Sequence, residues 1–278
     1  MKKITTTIAV ASLLAIVSCG ENIEKSAQLL VDEARAAYEA QDYITAKQLL
    51  DSAKRTYPKA FKARRAALYL GRDVELAEQQ RSVEYYNGEI ATLEARRDAL
   101  LPQFVLEKDK KYQDVGNYML PSQTAKNNIG NSYLRAQVSE NGTATISSIY
   151  RGKAISHTGV KLSVGDNYAE CNSPLSRYKS RHMGVTTERL DFSYGGDGGL
   201  MDFVAIAQSP ITVELLSDKP FKYTLRSSDA DAIAKVLELT KVLQSLENAK
   251  EMRAEAERHI EFILRSREKS QAAADSIE

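Results

Sequence analysis

The chain has 278 residues, of which 43% are hydrophobic, and its 38 Lys and Arg residues against 37 Asp and Glu residues give a net charge of +1. This length fits one large or two ordinary domains, and the apolar fraction excludes disordered and collagen-like classes. The balanced charge argues against a general nucleic-acid binder, and the two cysteines are too few for a disulfide framework or a four-thiolate zinc site.

The first 19 residues have the pattern of an export signal. Lys2 and Lys3 supply positive charge, and Ile8 to Val17 form an apolar run of ten residues. A membrane-spanning helix needs about 20 apolar residues, so ten residues fit the core of a signal peptide better. The end of the segment, Ile16-Val17-Ser18-Cys19-Gly20, resembles the lipobox of bacterial lipoproteins.

The resemblance to bacterial lipoproteins implies that the chain is cut before Cys19 and that the thiol of Cys19 receives acyl chains such as palmitate. It implies a protein of the bacterial cell envelope, held on a membrane by lipid without a transmembrane helix; the outer membrane is favoured and the leaflet is open. Stable anchoring takes two or more acyl chains, because each buried CH₂ contributes only about 0.8 kcal/mol. The alternative is an ordinary secretory signal in which Cys19 is incidental.

Residues 24–58 have the pattern of a helical hairpin, because apolar residues recur every three or four positions on both sides of Gln41-Asp42. The hairpin resembles one tetratricopeptide repeat, through Leu30, Ala34, Tyr43, Ala46, Leu50, Ala53 and Pro58. It lacks the turn glycine usual in that family, and no second full repeat follows. A lone repeat cannot bury its own apolar face, so we expect it to pack on later helices or on a partner protein.

Two long amphipathic helices of coiled-coil type are predicted farther along the chain. The first covers Val74 to Leu101, and Pro102 should end it. The second begins near Asp229 and carries an apolar stripe from Ile233 to Ile263, with a polar tail from Lys269 that we expect to fray. If the two helices pair antiparallel, they form a stalk that presents the segment between them; if they associate in parallel between copies, the protein is a dimer.

The segment between the long helices predicts an antiparallel β domain. Alternating apolar and polar residues flank Asn141-Gly142, which is a strong signal for a hairpin turn. Further strands are predicted at residues 160–164, 168–171, 185–194, 200–207, 211–216 and 221–225. Six to eight strands fit a small sandwich or an open barrel.

The predicted fold class is therefore α+β, with a tetratricopeptide-like hairpin and two long coiled-coil-type helices flanking an inserted antiparallel β domain. The predicted segments are a signal peptide at 1–18, a lipidated tether at 19–23, the repeat-like region at 24–72, the first long helix at 73–108, the β domain at 109–227 and the C-terminal helix at 228–278.

Residues with the chemistry of a catalytic or metal site are scattered. His157, His182 and His259 lack metal-ligand spacing, and Cys171 is interpreted as buried or incidental rather than nucleophilic. No Ser-His-Asp arrangement can be singled out, and the sequence gives no reason to choose a glycosidase pair among Glu170, Glu188, Asp191, Asp202 and Glu214.

Two other clusters have simple interpretations. Residues 195–199, Gly-Gly-Asp-Gly-Gly, are predicted to form a hairpin loop before a strand; a calcium site at Asp197 and Asp202 is the weaker alternative. The basic segment 177–182 is predicted to be a solvated loop, with contact to an anionic glycan, lipid headgroup or partner as the alternative.

The sequence thus predicts a non-enzymatic envelope lipoprotein that acts as a scaffold or binding protein. Its partners would be the membrane, through lipid on Cys19, and a protein or second copy, through the helical regions; nucleic acid, metal and cofactor are not expected. The alternatives are an envelope enzyme or carbohydrate-binding protein with its site in the β domain, and a structural subunit that oligomerises through the coiled coil.

Overall fold

The computed structural model describes residues 6–109, 111–208 and 210–275, and the side chains of residues 22–109, 111–208, 210–270 and 272. Lys2, Lys3 and the side chain of Cys19 lie outside these ranges, so the predicted signal peptide and lipidation site are not tested. Within the described residues, no helix is both long enough and apolar enough to cross a membrane. The chain divides into two compact units: unit 1, Met1–Asn87 with Glu251–Glu278, and unit 2, Gly88–Lys250.

Unit 1 begins with two helices joined by a short turn. Helix α1 covers Thr6–Glu39 and α2 covers Tyr43–Thr56, and the two pack against each other. Gln41 has a positive φ of 61°, and the side chain of Asp42 caps α2 by accepting a hydrogen bond from the amide of Thr45 at 3.0 Å. The polar pair at which the sequence predicts a break is therefore the turn itself.

The core of unit 1 consists mainly of small side chains, which allow helices to approach closely. Helix α3, Phe61–Leu100, starts in unit 1 and passes without interruption through the predicted segment boundary at residue 72. Eight buried residues of α1, α2 and α3 form this core: Val31, Ala34, Ala46, Leu50, Ala53, Ala67, Leu70 and Val74.

The last helix, α5, covers Ser227–Asp275, and its side chains contact side chains of α3. In unit 1, Arg267 pairs with Asp73, and an Nη of Arg253 donates to Asn87 at 3.3 Å. Residue numbers rise along α3 as they fall along α5, so the two helices run antiparallel in this unit. Helix α5 extends to Asp275, beyond the point at which the polar tail was predicted to fray.

Unit 2 contains two antiparallel sheets that are not closed into a barrel. The larger sheet has the strand order β1-β2-β3-β4-β8-β7, and the smaller has the order β10-β9-β5-β6. The strands are β1 Val105–Glu107, β2 Asn117–Met119, β3 Tyr133–Ser139, β4 Ala144–Gly152, β5 Gly159–Val164, β6 Asn167–Cys171, β7 Ser176–His182, β8 Val185–Ser193, β9 Thr212–Leu216 and β10 Phe221–Thr224. The prediction of a mixed fold with an antiparallel β domain is confirmed.

Both sheets contribute to one apolar core. Ile146 and Phe192 of the larger sheet, Leu162 of the smaller sheet, and Ile233 and Val236 of α5 belong to the same buried cluster. The predicted hairpin is the β3–β4 turn, in which Gly142 has a φ of +81°. The first part of α5 is thus a component of the β domain's core and not only a neighbour of α3.

The prediction of a strand at residues 200–207 is wrong, because Leu200–Ile206 form a short helix, α4. Asp197 accepts a hydrogen bond from the amide of Met201 at 2.9 Å, and Gly199 adopts a left-handed conformation with φ of 78°. Leu200, Met201 and Val204 are buried, a spacing that suits one face of a helix. The periodicity of so short and mostly apolar a run does not distinguish a helix from a strand.

Two other details differ from the sequence predictions. The basic segment predicted to be a loop is strand β7, which pairs with β8. The short strands β1 and β2 were not predicted, and the described residues contain ten strands rather than six to eight. In β7, pairing with β8 outweighs a polar composition that favours loops. Strands β1 and β2 are only three residues long, which is too short to show the alternation of a strand.

Candidate functional site

A row of three buried polar side chains crosses the core of unit 2. Ser148 Oγ lies 2.8 Å from His157 Nε2, and His157 Nδ1 lies 3.0 Å from Glu188 Oε2. All three side chains are buried. Nothing in the sequence pattern indicates this arrangement, because the three residues belong to two strands and the loop after β4.

Strand register and one unusual turn bring the three residues together. In the pairing of β4 with β8, Tyr150 lies opposite Glu188 and Ser148 lies opposite Leu190, so Ser148 and Glu188 occupy one face. Ser156 has a positive φ of 53°, and the amides of Ser156 and His157 donate to Glu188 at 2.9 and 3.1 Å. The Glu188 carboxylate therefore holds the loop after β4 in place.

These contacts fix the protonation states of the row. Burial acts to raise the pKa of Glu188, but the hydrogen bonds from His157, Ser156 and Lys179 outweigh it and lower the pKa to about 2. Burial lowers the pKa of His157 from its ordinary value, although the nearby Glu188 opposes this effect. At neutral pH a neutral His157 donates a hydrogen bond from Nδ1 to the ionised Glu188, and its Nε2 accepts a hydrogen bond from the hydroxyl of Ser148.

A pocket of about 220 Å³ opens beside this row and is rimmed by strand β7. Lys179 crosses it, with Nζ 2.9 Å from Ser156 Oγ and 3.3 Å from Glu188 Oε1. The lining residues are Ser156, His157, Arg177, Tyr178, Lys179, Glu188 and Leu190. The negative charge of Glu188 is thus balanced at the floor of the pocket by Lys179.

Strand β7 places three cations on the same side as the pocket. Arg177, Lys179 and Arg181 occupy alternate positions, and the register sets them opposite Leu190, Glu188 and Thr186. Tyr178 projects to the other face, where its ring lies 5.6 Å from the guanidinium of Arg189. Among the side chains that the structure describes, Arg177 and Arg181 have no carboxylate within ion-pair distance.

The row has the hydrogen-bond order of a serine hydrolase relay, in which a carboxylate orients a histidine that activates a serine. Ser148, however, is only 1% exposed and does not line the pocket. As arranged, the row satisfies buried polar groups and fixes the loop after β4, while the exposed cations of β7 are the groups that can meet a ligand.

The other residues singled out from the sequence lie apart from this pocket. Cys171 is buried on β6, and the Asp197 carboxylate accepts hydrogen bonds from the amides of Gly199 and Met201 at the start of α4. Asp202 pairs with Lys241 at 3.3 Å. Within the described part of the chain, no group of three metal-ligating side chains is found.

A second surface feature is a groove of about 370 Å³ in unit 1, where the start of α2 faces α3. Beside the groove, Ile44 is 67% exposed and Tyr85 is 61% exposed. Lys47 forms an ion pair with Glu78 at 2.7 Å. The groove is lined by Gln41, Asp42, Tyr43, Ile44, Glu78, Arg81, Ser82, Tyr85 and Tyr86.

Comparison of the chain with known protein families, with curated proteins and with solved structures finds no match in any of the three.

Proposed function

We propose that the protein is a lipid-anchored protein of the bacterial cell envelope that acts as a non-enzymatic scaffold or binding protein. Acyl chains on Cys19 hold it on a membrane, with the outer membrane favoured, and the helical region contacts a partner protein. The β domain is the part of the molecule that the anchored chain presents.

The observation that carries the binding role is the unit 1 groove. Exposed apolar side chains that lie together at a concave surface are a feature of sites where another molecule binds, and Ile44 and Tyr85 are exposed together at this groove. Tyr43, Tyr85 and Tyr86 place three aromatic rings there, and aromatic residues are enriched in the centres of protein interfaces. Asp42, Glu78 and Arg81 add charged groups of both signs at the rim.

The lipid anchor is tested by replacing Cys19. The variant Cys19→Ser should lose metabolic labelling with an alkyne palmitate analogue and should leave the membrane fraction, because the acylated atom is gone. Cys171→Ser is the matched control and should keep both properties. Continued labelling of the Cys19→Ser variant would contradict the anchor without bearing on the groove.

The groove is tested by photocrosslinking in cells. A benzophenone amino acid at Tyr85 should give a crosslinked product, whereas the same residue at Tyr69, which is 52% exposed on the same helix but outside the groove, should not. Ile44→Asp should remove the Tyr85 product. Equal products from both positions, or a product insensitive to Ile44→Asp, would contradict binding at the groove, and the product's mass separates a partner from a second copy.

The second candidate is an envelope enzyme or carbohydrate-binding protein with its site in the β domain. The row of Ser148, His157 and Glu188 favours an enzyme of the serine hydrolase type, acting after an opening that exposes the hydroxyl. A fluorophosphonate probe would then label the protein at Ser148, and Ser148→Ala would abolish labelling. No labelling during a long incubation would contradict an enzyme of the serine hydrolase type.

A further inference from the structure

Strand β7 is an exposed edge of the larger sheet. It is the last strand in the order β1-β2-β3-β4-β8-β7, and in the described chain β8 is the strand with which it pairs. Six of its seven residues are exposed. An edge strand presents unpaired backbone amides and carbonyls, which can accept one more strand.

The charge of this edge has one sign. From Cys171 to Thr187 the sequence contains two arginines, one lysine and one histidine and no Asp or Glu. Arg177, Lys179 and Arg181 share one face of β7, and Lys179 already contacts Glu188 at the pocket floor. Arg177 and Arg181 therefore remain the cations at the edge that can pair with an incoming strand.

A second copy of the same strand is a poor partner for this edge. If two copies of β7 paired antiparallel about Lys179, each Arg177 would lie opposite an Arg181 and the two lysines would lie opposite each other. In-register parallel pairing would place like charges side by side at Arg177, Lys179 and Arg181. Like charges directly across a strand pair are destabilising. Pairing between two copies of β7 is therefore disfavoured, and a partner strand of opposite charge is favoured.

We propose that β7 is the docking site for an extended acidic segment of another protein, which adds to the larger sheet as a seventh strand beside β7. Backbone hydrogen bonds to β7 supply the pairing, and Asp or Glu at alternate positions of the segment meet Arg177 and Arg181. Strand β7 lies in unit 2, so this site is separate from the unit 1 groove, and its test is independent of the proposed function.

The test uses a fluorescein-labelled heptapeptide with Glu at the second, fourth and sixth positions and Thr or Val elsewhere. Its binding to the soluble chain lacking residues 1–19 is followed by fluorescence anisotropy. The peptide should bind, and its affinity should fall as salt rises, because the side-chain pairs are exposed. A peptide of the same sequence with an N-methyl group on every backbone amide keeps the charges but has no backbone N–H to donate, so it cannot complete a strand and should not bind.

Charge-reversal variants test whether the peptide binds at β7. The double variant Arg177→Glu with Arg181→Glu should weaken binding at least about tenfold, since two attractive pairs become repulsive. The same variant should bind a matched peptide in which Lys replaces Glu. Lys222→Glu, on the edge strand β10 of the other sheet, is the control and should leave the affinity unchanged. Circular dichroism checks that each variant is folded.

Three outcomes would overturn the proposal. Equal binding of the N-methylated peptide would show that charge alone, without strand addition, holds the ligand. An equal loss of peptide affinity in the Lys222→Glu control would show that the peptide does not bind specifically at β7. Binding to vesicles of anionic lipid or to an acidic polysaccharide that depends on Arg177 and Arg181, with none to the peptide, would assign the edge to a different class of ligand.

Discussion

His157 couples the stability of unit 2 to pH. Burial lowers its pKa in the folded protein below the ordinary value near 6.5, so the folded state binds fewer protons than the unfolded chain. The stability that depends on neutral His157 is therefore fully present above about pH 6.5 and is lost as the pH falls below it. The urea concentration at the unfolding midpoint of the wild type should therefore be lower at pH 5.5 than at pH 7.5.

The variant His157→Gln separates this effect from general acid sensitivity. It should be less stable than the wild type at pH 7.5, yet its urea midpoint should change less between the two pH values. His259→Gln changes an exposed histidine on α5 and should behave as the wild type does. A His157→Gln variant with the full wild-type pH dependence would show that another group is responsible.

Gly198 lies so close to the backbone of Glu170 that an amino acid with a Cβ atom would not fit at this position. Its φ is +62°, and an added Cβ would overlap the carbonyl oxygen of Glu170. Gly198→Ala should lower the free energy of unfolding by about 2–4 kcal/mol, because a backbone atom would have to move. Gly195→Ala has a similar φ of +86° with nothing within 4 Å, and should cost only about 1 kcal/mol. Equal losses in thermal or urea unfolding would contradict this explanation.

At the residue scale, the sequence alone can indicate that Glu188 has an unusual environment, but it cannot indicate which residues Glu188 contacts. The alternation along β8 places Glu188 on the same face as the buried Leu190 and Phe192, and a carboxylate on an apolar face signals a special environment. Its contact with His157, 31 positions earlier, depends on the β4–β8 register and on the left-handed turn at Ser156. Neither feature has a local sequence signal.

At the scale of elements, the antiparallel contact of α3 with α5 can be tested in unit 2 through one ion pair. Arg96 lies 3.0 Å from Glu238. In the soluble chain lacking residues 1–19 and carrying Cys171→Ser, the pair Arg96→Cys with Glu238→Cys should give an intramolecular product with a short bismaleimide. Peptide mass spectrometry identifies the linked positions.

The control for this crosslink moves one cysteine along α5. Glu247 lies nine residues after Glu238, about 13 Å farther along the helix and on its opposite side. Arg96→Cys with Glu247→Cys should therefore give little product. A covalent dimer as the main product of the first pair would instead favour association of helices between copies.

Elements with a clear period were predicted well, and short or polar ones were not. The β3–β4 hairpin follows from the Asn-Gly turn, and α3 ends at Leu100, just before Pro102, as predicted. The segment of α4 was predicted to be a strand. It forms a helix because Asp197 accepts a hydrogen bond from the amide of Met201 and because Leu200, Met201 and Val204 are buried on one helix face, and neither feature can be recognised from the sequence. Strand β7 was assigned to a loop because its composition is polar and only its pairing with β8 makes it a strand.

At the scale of the whole molecule, unit 2 has the properties of an independent domain. Its large core lies wholly within the contiguous segment Gly88–Lys250 and includes residues of both sheets and of α5. The fragment 88–250 should therefore fold alone, with dispersed amide resonances and one cooperative thermal transition. Non-cooperative melting with collapsed amide resonances would show that unit 2 needs the rest of the chain.

The ion pair of Arg96 with Glu238 also bears on how such a chain can change over evolutionary time. The strands of the β domain all lie in the segment between Arg96 and Glu238, whose side chains touch. A segment whose two ends are neighbours can be gained, lost or exchanged by recombination without separating the chain on either side of it. Genes that keep the flanking helices but encode a plain connecting loop, or an unrelated insert, between these two positions are therefore physically reasonable relatives of this one.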